Sequence, residues 1–159
     1  MALRGGAAAV ADPFNDEVFH TDGATAAVRR FGADARLIPT ATSGLVDVNL
    51  DPPFPNAPGF RAVRLLAHPD FVRTFRPRVV STTLALTWVA SGKRAAYVTD
   101  GGDLLASVHF AAGIAVCRAA GCVVTGIDGA PVEPGSRGLV AAADTETHGL
   151  LMEMIRSQS

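Results

Sequence analysis

The sequence predicts a layered α/β domain preceded by an antiparallel β-meander. Three observations carry this. Up to residue 42, short segments of alternating polarity are separated by turn signals. Four prolines then fall within residues 51–58, which blocks both helix and central strand there. Beyond them, helical and extended apolar segments alternate, the pattern of a sheet covered by helices on both faces, α-β-α. The division is expected as a meander over residues 1–44 and an α/β unit over residues 45–159, the two free to form one compact body.

Residues 7–10 can extend as a first strand, and Asp12-Pro13-Phe14-Asn15-Asp16 turns, with proline at its second position. Glu17–Thr21 alternates as a half-buried strand does, and Asp22-Gly23 is a strong turn signal. Residues 25–31 and 36–38 complete the meander. Residues 45–50 alternate again and lead into the proline-rich loop. Residues 60–66 begin a helix that His68-Pro69-Asp70 ends or kinks, with Asp70 as the cap of a short helical turn after it. A short strand is expected at 78–80 and a helix at 82–90 with Gly92 closing it. A strand comes next at 95–99, then an apolar helix at 108–120 closed by Gly121. Strands at 122–127 and 138–142 flank the Asp128-Gly129 turn. Asp144 or Thr145 caps a last helix running toward Arg156.

A chain of 159 residues with net charge −1, 48% hydrophobic and 18% charged, is that of a globular protein. Its balanced charge favours neither nucleic acid nor an anionic membrane as partner. No run approaches the ~18 apolar residues of a membrane span, and the N-terminal stretch does not read as a signal peptide. A cytoplasmic location is expected. Cys117 and Cys122 lie in apolar runs and read as buried thiols rather than a disulfide.

The segment from Arg78 onward reads RVVSTTLALTWVASGKRAAYVTDGG, then SVHFAAGIAVCRAAGCVVTGIDG, then GSRGLVAAADTETHGLL. In order and spacing it resembles the C-terminal domain of inositol monophosphatase-like sugar phosphatases. There the corresponding motifs are R-x-x-G-[ST]-A-A, W-D-x-A-A-G, E-A-G-G and S-R-x-x-x-A-A-N. Upstream, VADPFNDEVFHTDGATAA resembles that family's D-P-x-x-x-E-[LM]-F hairpin. The resemblance thus extends back to about residue 8 and implies a remnant of the family's first domain before the C-terminal domain. The Glu-Glu pair and D-P-[IL]-D-G-[TS] motif that carry most of the family's metal ligands have no counterpart in the sequence. The one remaining ligand, the aspartate of W-D-x-A-A-G, falls on His109, with Val108 in place of the tryptophan.

That substitution leaves no carboxylate cluster for magnesium, which wants several hard oxygen ligands. Neither a metal nor another cofactor is expected. His109 is the candidate acid or base, because imidazole changes charge nearest neutral pH. Asp100 and Asp103 are candidates to orient it or to bind ligand hydroxyls, the alternative being solvated loop carboxylates. Ser81, Thr82 and Thr83 fall where the resemblance places sugar contacts, and Arg78 is a candidate anion contact. His20, His68 and His148 read as structural or surface residues, and Cys117 as core.

Three functions are expected in turn. The first is a repurposed, metal-independent enzyme acting on a small polar or biosynthetic intermediate. The second is a non-catalytic binding or partner subunit, and the third a sugar or inositol phosphatase with a rebuilt site. A small-molecule ligand is expected in each. An open meander edge and an uncovered meander face also predict a homodimer or higher oligomer.

Overall fold

The computed structural model describes residues 6–50, 60–102 and 104–158. The first four strands are β1 (Ala8–Asp12), β2 (Glu17–Thr21), β3 (Ala26–Arg30) and β4 (Ala33–Arg36). They pair in sequence order and antiparallel, as the turn signals require. Asp12 closes the first turn as an acceptor: the Phe14 and Asn15 amides donate to Oδ1, and the Asn15 side chain donates to Oδ2. The fourth strand lies earlier than residues 36–38. Phe31 adopts φ +49 and Gly32 φ +78, so the chain reverses at once after β3.

A second sheet has the order β6-β5-β7-β9-β8, built from β5 (Leu45–Asn49), β6 (Arg76–Val79), β7 (Ala96–Thr99), β8 (Val123–Thr125) and β9 (Leu139–Ala142). β5 runs parallel to both β6 and β7, while β9 is antiparallel to β7 and β8. β5 is therefore central and buried on both faces, which its alternating polarity did not suggest. Asp47 and Asn49 are buried polar residues on it.

The helices are α1 (Pro69–Thr74), α2 (Ala85–Ala90), α3 (Ala111–Ala120) and α4 (Thr145–Arg156), with a 3-10 helix at Ala62–Ala67. The expected helix at 60–66 is thus a 3-10 segment. His68 rather than Asp70 caps α1: its Nδ1 accepts from the Asp70 amide, and its Nε2 lies 3.0 Å from Ser157 Oγ. α2 and α3 each start about three residues later than the apolar spacing suggested. The preceding residues 82–84 and 108–110 form turns or extended loop. Asp144 caps α4, accepting from the Thr147 amide at 2.7 Å.

Two apolar clusters sandwich the second sheet. One joins Tyr97, Leu139 and Ala141 to α2, α3 and the meander residues Phe19, Val28 and Leu37. The other joins Val46, Val48, Val98 and Val140 to Phe60, Leu65, Phe71 and α4. The order of layers is meander, α2–α3, second sheet, then 3-10 helix with α1 and α4. α3 covers one face of the meander, and the other face carries exposed Ala9, Ala11, Val18 and Arg29.

Two glycines set the spacing of these layers. Gly113 on α3 faces Leu86 of α2, where an added Cβ would lie 2.8 Å from the Leu86 Cβ. Helical glycine costs about 1 kcal/mol against alanine, and here it permits the close crossing. Gly92 has φ +75, and a Cβ there would meet Thr40 Cγ2 at 2.7 Å, so the chain after α2 can press against the end of the meander.

His148 illustrates how packing tunes a charge. Its Nε2 lies 2.7 Å from Thr125 Oγ1, and burial together with the Arg156 charge holds its pKa below the usual histidine value. A depressed histidine favours the folded state above its unfolded pKa of about 6.5, and this benefit is lost as pH falls through the folded value. Melting temperature should therefore fall below about pH 6.5, and His148→Gln should flatten that slope. An unchanged slope in the variant would assign the acid sensitivity elsewhere.

Candidate functional site

The parallel strands β5, β6 and β7 end at one edge of the second sheet, where Asn49 and Thr99 are register partners. From β5 the chain leaves toward the 3-10 helix and α1, on one face. From β7 it leaves toward α3, on the other face. Adjacent strands whose connections depart to opposite faces leave a crevice outside their carboxyl ends, the usual ligand position in open α/β sheets.

The wall of this crevice is tied by polar contacts. Asn49 Nδ2 donates to the Tyr97 hydroxyl at 2.9 Å, and the Tyr97 ring lies 6.3 Å from that of Phe110. Gly101 donates to Thr99 Oγ1, and Gly138 donates to the Gly101 carbonyl. The Phe110 ring contact holds the turn that carries His109 next to Tyr97 of β7. His109 is exposed, its amide donating to Ser107 Oγ at 3.2 Å. No hydrogen bond or ion pair to its ring is present among the described residues.

Asp100 differs from a solvated loop carboxylate. It is 3% exposed, and its Oδ2 accepts from Arg61 Nε at 2.9 Å and from the Ala62 amide at 3.0 Å. It faces the exit of β5 instead of orienting His109, because two donors there compensate its burial. Asp103 lies outside the described residues. Ser81, Thr82 and Thr83 do follow the carboxyl end of β6; Thr82 Oγ1 accepts from the Leu84 amide at the start of α2, and Ser81 is exposed. Arg78 is exposed on the edge strand, with Nη1 on the Pro77 carbonyl. Asp100 thus lies at the exit of β7, tied to Arg61, and the hydroxyls lie at the exit of β6, while no described contact joins either group to His109.

Arg61 was not among the expected residues. Only its position between Phe60 and Ala62, at the end of the proline-rich loop, marked it, and nothing in that pattern named Asp100 as its partner. Cys117 is buried and free, donating to the Leu86 carbonyl. The neighbouring Cys122 thiol, with burial, holds its pKa well above the usual thiol value, so a thiolate nucleophile is disfavoured.

The fold and its motif order agree with a family model that matches residues 5–159, the inositol monophosphatase family. The chain belongs to this family. Among solved structures it is similar to the IMPase of Thermotoga maritima, with TM-score 0.72 and 16% identity. It is also similar to SuhB of Mycobacterium tuberculosis, with 0.71 and 24%, and to the extragenic suppressor protein suhB of Bartonella henselae, with 0.73 and 20%. These alignments cover 94%, 96% and 94% of this chain but 55%, 59% and 58% of the three structures. The chain therefore spans less than two thirds of their length. No curated protein matches it significantly.

Inositol monophosphatase membership implies divalent metal, and the described residues do not fit one. Among the described residues no group of three or more His, Cys, Asp or Glu side chains could hold an ion. At the crevice Asp100 is committed to Arg61, and the imidazole of His109 is a softer donor than magnesium takes. No described helix is long and apolar enough to cross a membrane.

Proposed function

We propose that this inositol monophosphatase-family chain acts without metal on a small polar or biosynthetic intermediate, by acid–base chemistry at His109. The observation that carries the reading is the exposed imidazole of His109, which the motif resemblance aligns with a family ligand, together with the lack of a carboxylate cluster among the described residues. Phosphate-ester hydrolysis of the family type needs divalent ions to make the nucleophile and offset charge. An imidazole alone can take a proton from a ligand group at one ring nitrogen and return it, without either ion.

The test is turnover of a panel of free and phosphorylated polyols, followed by NMR in EDTA and again in magnesium. His109→Ala should lower metal-free turnover about 10²–10⁴-fold while leaving the melting curve unchanged, since the side chain is exposed. Equal turnover in wild type and variant, or phosphate release that requires magnesium, would refute the assignment.

A second reading, a non-catalytic binding or partner subunit, is favoured by one observation. Asp100, one of the two carboxylates expected to orient His109, is spent on Arg61. Ligand binding with no turnover in either protein selects this reading.

The same proposal includes a homodimer through the outer face of the meander. Phe14 and Phe31 are each 92% exposed at the two turns at one end of the sheet, and Val18 lies on the outer face. Light scattering after size exclusion should give a dimer at micromolar concentration; a monomer defeats it.

A further inference from the structure

We propose that Arg61 is the anion anchor of the crevice, binding an oxyanion group of the ligand, phosphate or carboxylate, through the outer nitrogens of its guanidinium. This rests on the crevice being a ligand site, as above, and not on His109 being catalytic.

Four observations carry it. Arg61 and Asp100 come from the exits of β5 and β7, the two strands whose connections part to opposite faces, so the pair sits at the mouth of the crevice. Phe60 and Ala62, on either side of Arg61, are 3% and 0% exposed, which fixes the backbone from which the guanidinium projects. Asp100 grips that guanidinium at Nε, and is itself buried and steadied by the Ala62 amide. The Arg61 side chain is 37% exposed, and Nη1 and Nη2 make no hydrogen bond among the described residues.

An arginine held by one edge keeps its other edge, with parallel N–H groups, free for bidentate recognition of phosphate or carboxylate. Holding the side chain in advance removes the ordering cost that weakens ordinary surface arginines. Asp100 offsets part of the positive charge, so binding should be modest. The anchor is a planar fork, which lysine does not reproduce.

The experiment titrates the full 15N-labelled chain in EDTA, at constant ionic strength, with inorganic phosphate and separately with acetate. Wild type should show saturable shifts at the Arg61 Nε–H, Ala62 and Gly101 signals, with a low-millimolar dissociation constant for one of the two. The tighter anion identifies the ligand's group. Arg61→Gln should bind at least about tenfold more weakly. Arg61→Lys, which keeps a cation beside Asp100 and guards against misfolding of the first variant, should also bind more weakly than wild type. His109→Ala should bind as wild type does, so failure of acid–base catalysis and failure of the anchor are read separately. No saturation by either anion at ten times the expected constant, or equal affinity in folded Arg61→Lys, overturns the proposal.

Discussion

Replacing Arg94 with alanine should destabilise the protein by about 3–5 kcal/mol. Asp47 sits in the middle of central β5 with no solvent exposure, and its Oδ1 accepts from Arg94 Nε at 2.8 Å. Its Oδ2 is buried and has no hydrogen bond among the described residues. Burial pushes the Asp47 carboxyl above its ordinary value, while Arg94 and, more distantly, Arg78 pull it down. Burial outweighs these partners even with Arg94 present, and without Arg94 the carboxyl would be left inside the sheet with no cation on it. The guanidinium also lies 4.8 Å from the Trp88 ring centre, so alanine removes a stacked cation as well.

The sign of the pH response separates the two losses. A raised carboxyl pKa costs stability above the unfolded value of about 3.9, and the cost disappears as pH falls below it. The deficit of Arg94→Ala should therefore shrink on acidification toward about pH 4, leaving the stacking loss. Asp47→Leu combined with Arg94→Met should recover most of the stability, because replacing both members of a buried pair by apolar side chains is often neutral. A loss below about 1 kcal/mol in the single variant, the range of an exposed pair, would show that Asp47 reaches water.

Elements with local signals were legible in the sequence, and those that depend on distant partners were not. Asp22-Gly23 marked its hairpin, because a tight turn is decided by the residues in it. The capping role of Asp144 was legible for the same reason. The centrality of β5 was not, since Asp47 and Asn49 read as outward-facing until Arg94 and Tyr97 arrive from 47 and 48 residues away to pair with them. At the candidate site, His109 is singled out by its place before the AAG segment. The bond from Asp100 to Arg61 is not, because it spans 39 residues and the proline-rich loop. A local pattern shows which side chains can ionise, but only the packed chain shows which charge is already taken.

Phe19→Ala should cost about 3–5 kcal/mol as well, and it tests whether meander and α/β unit unfold together. Phe19 has no solvent exposure. On the meander it clusters with Val28 and Leu37, and the same cluster contains Leu86 and Val89 of α2 and Val116 and Cys117 of α3. Lys93, after α2, lies 5.7 Å from its ring centre and also pairs with the buried Glu17 at 3.1 Å. Alanine would open a cavity at this junction, and the neighbouring strands, held in register on both sides, have little room to collapse into it. If the two parts share one core, urea unfolding should be a single transition by both circular dichroism and tryptophan fluorescence. Trp88 reports from α2, so the fluorescence midpoint should fall with the dichroism midpoint while the slope stays constant. Two separated transitions, or a fluorescence midpoint unmoved by the substitution, would mean that the meander is an appendage whose loss leaves the α/β unit standing. The shared cluster argues against that outcome: without the meander, α3 would turn its apolar face to water.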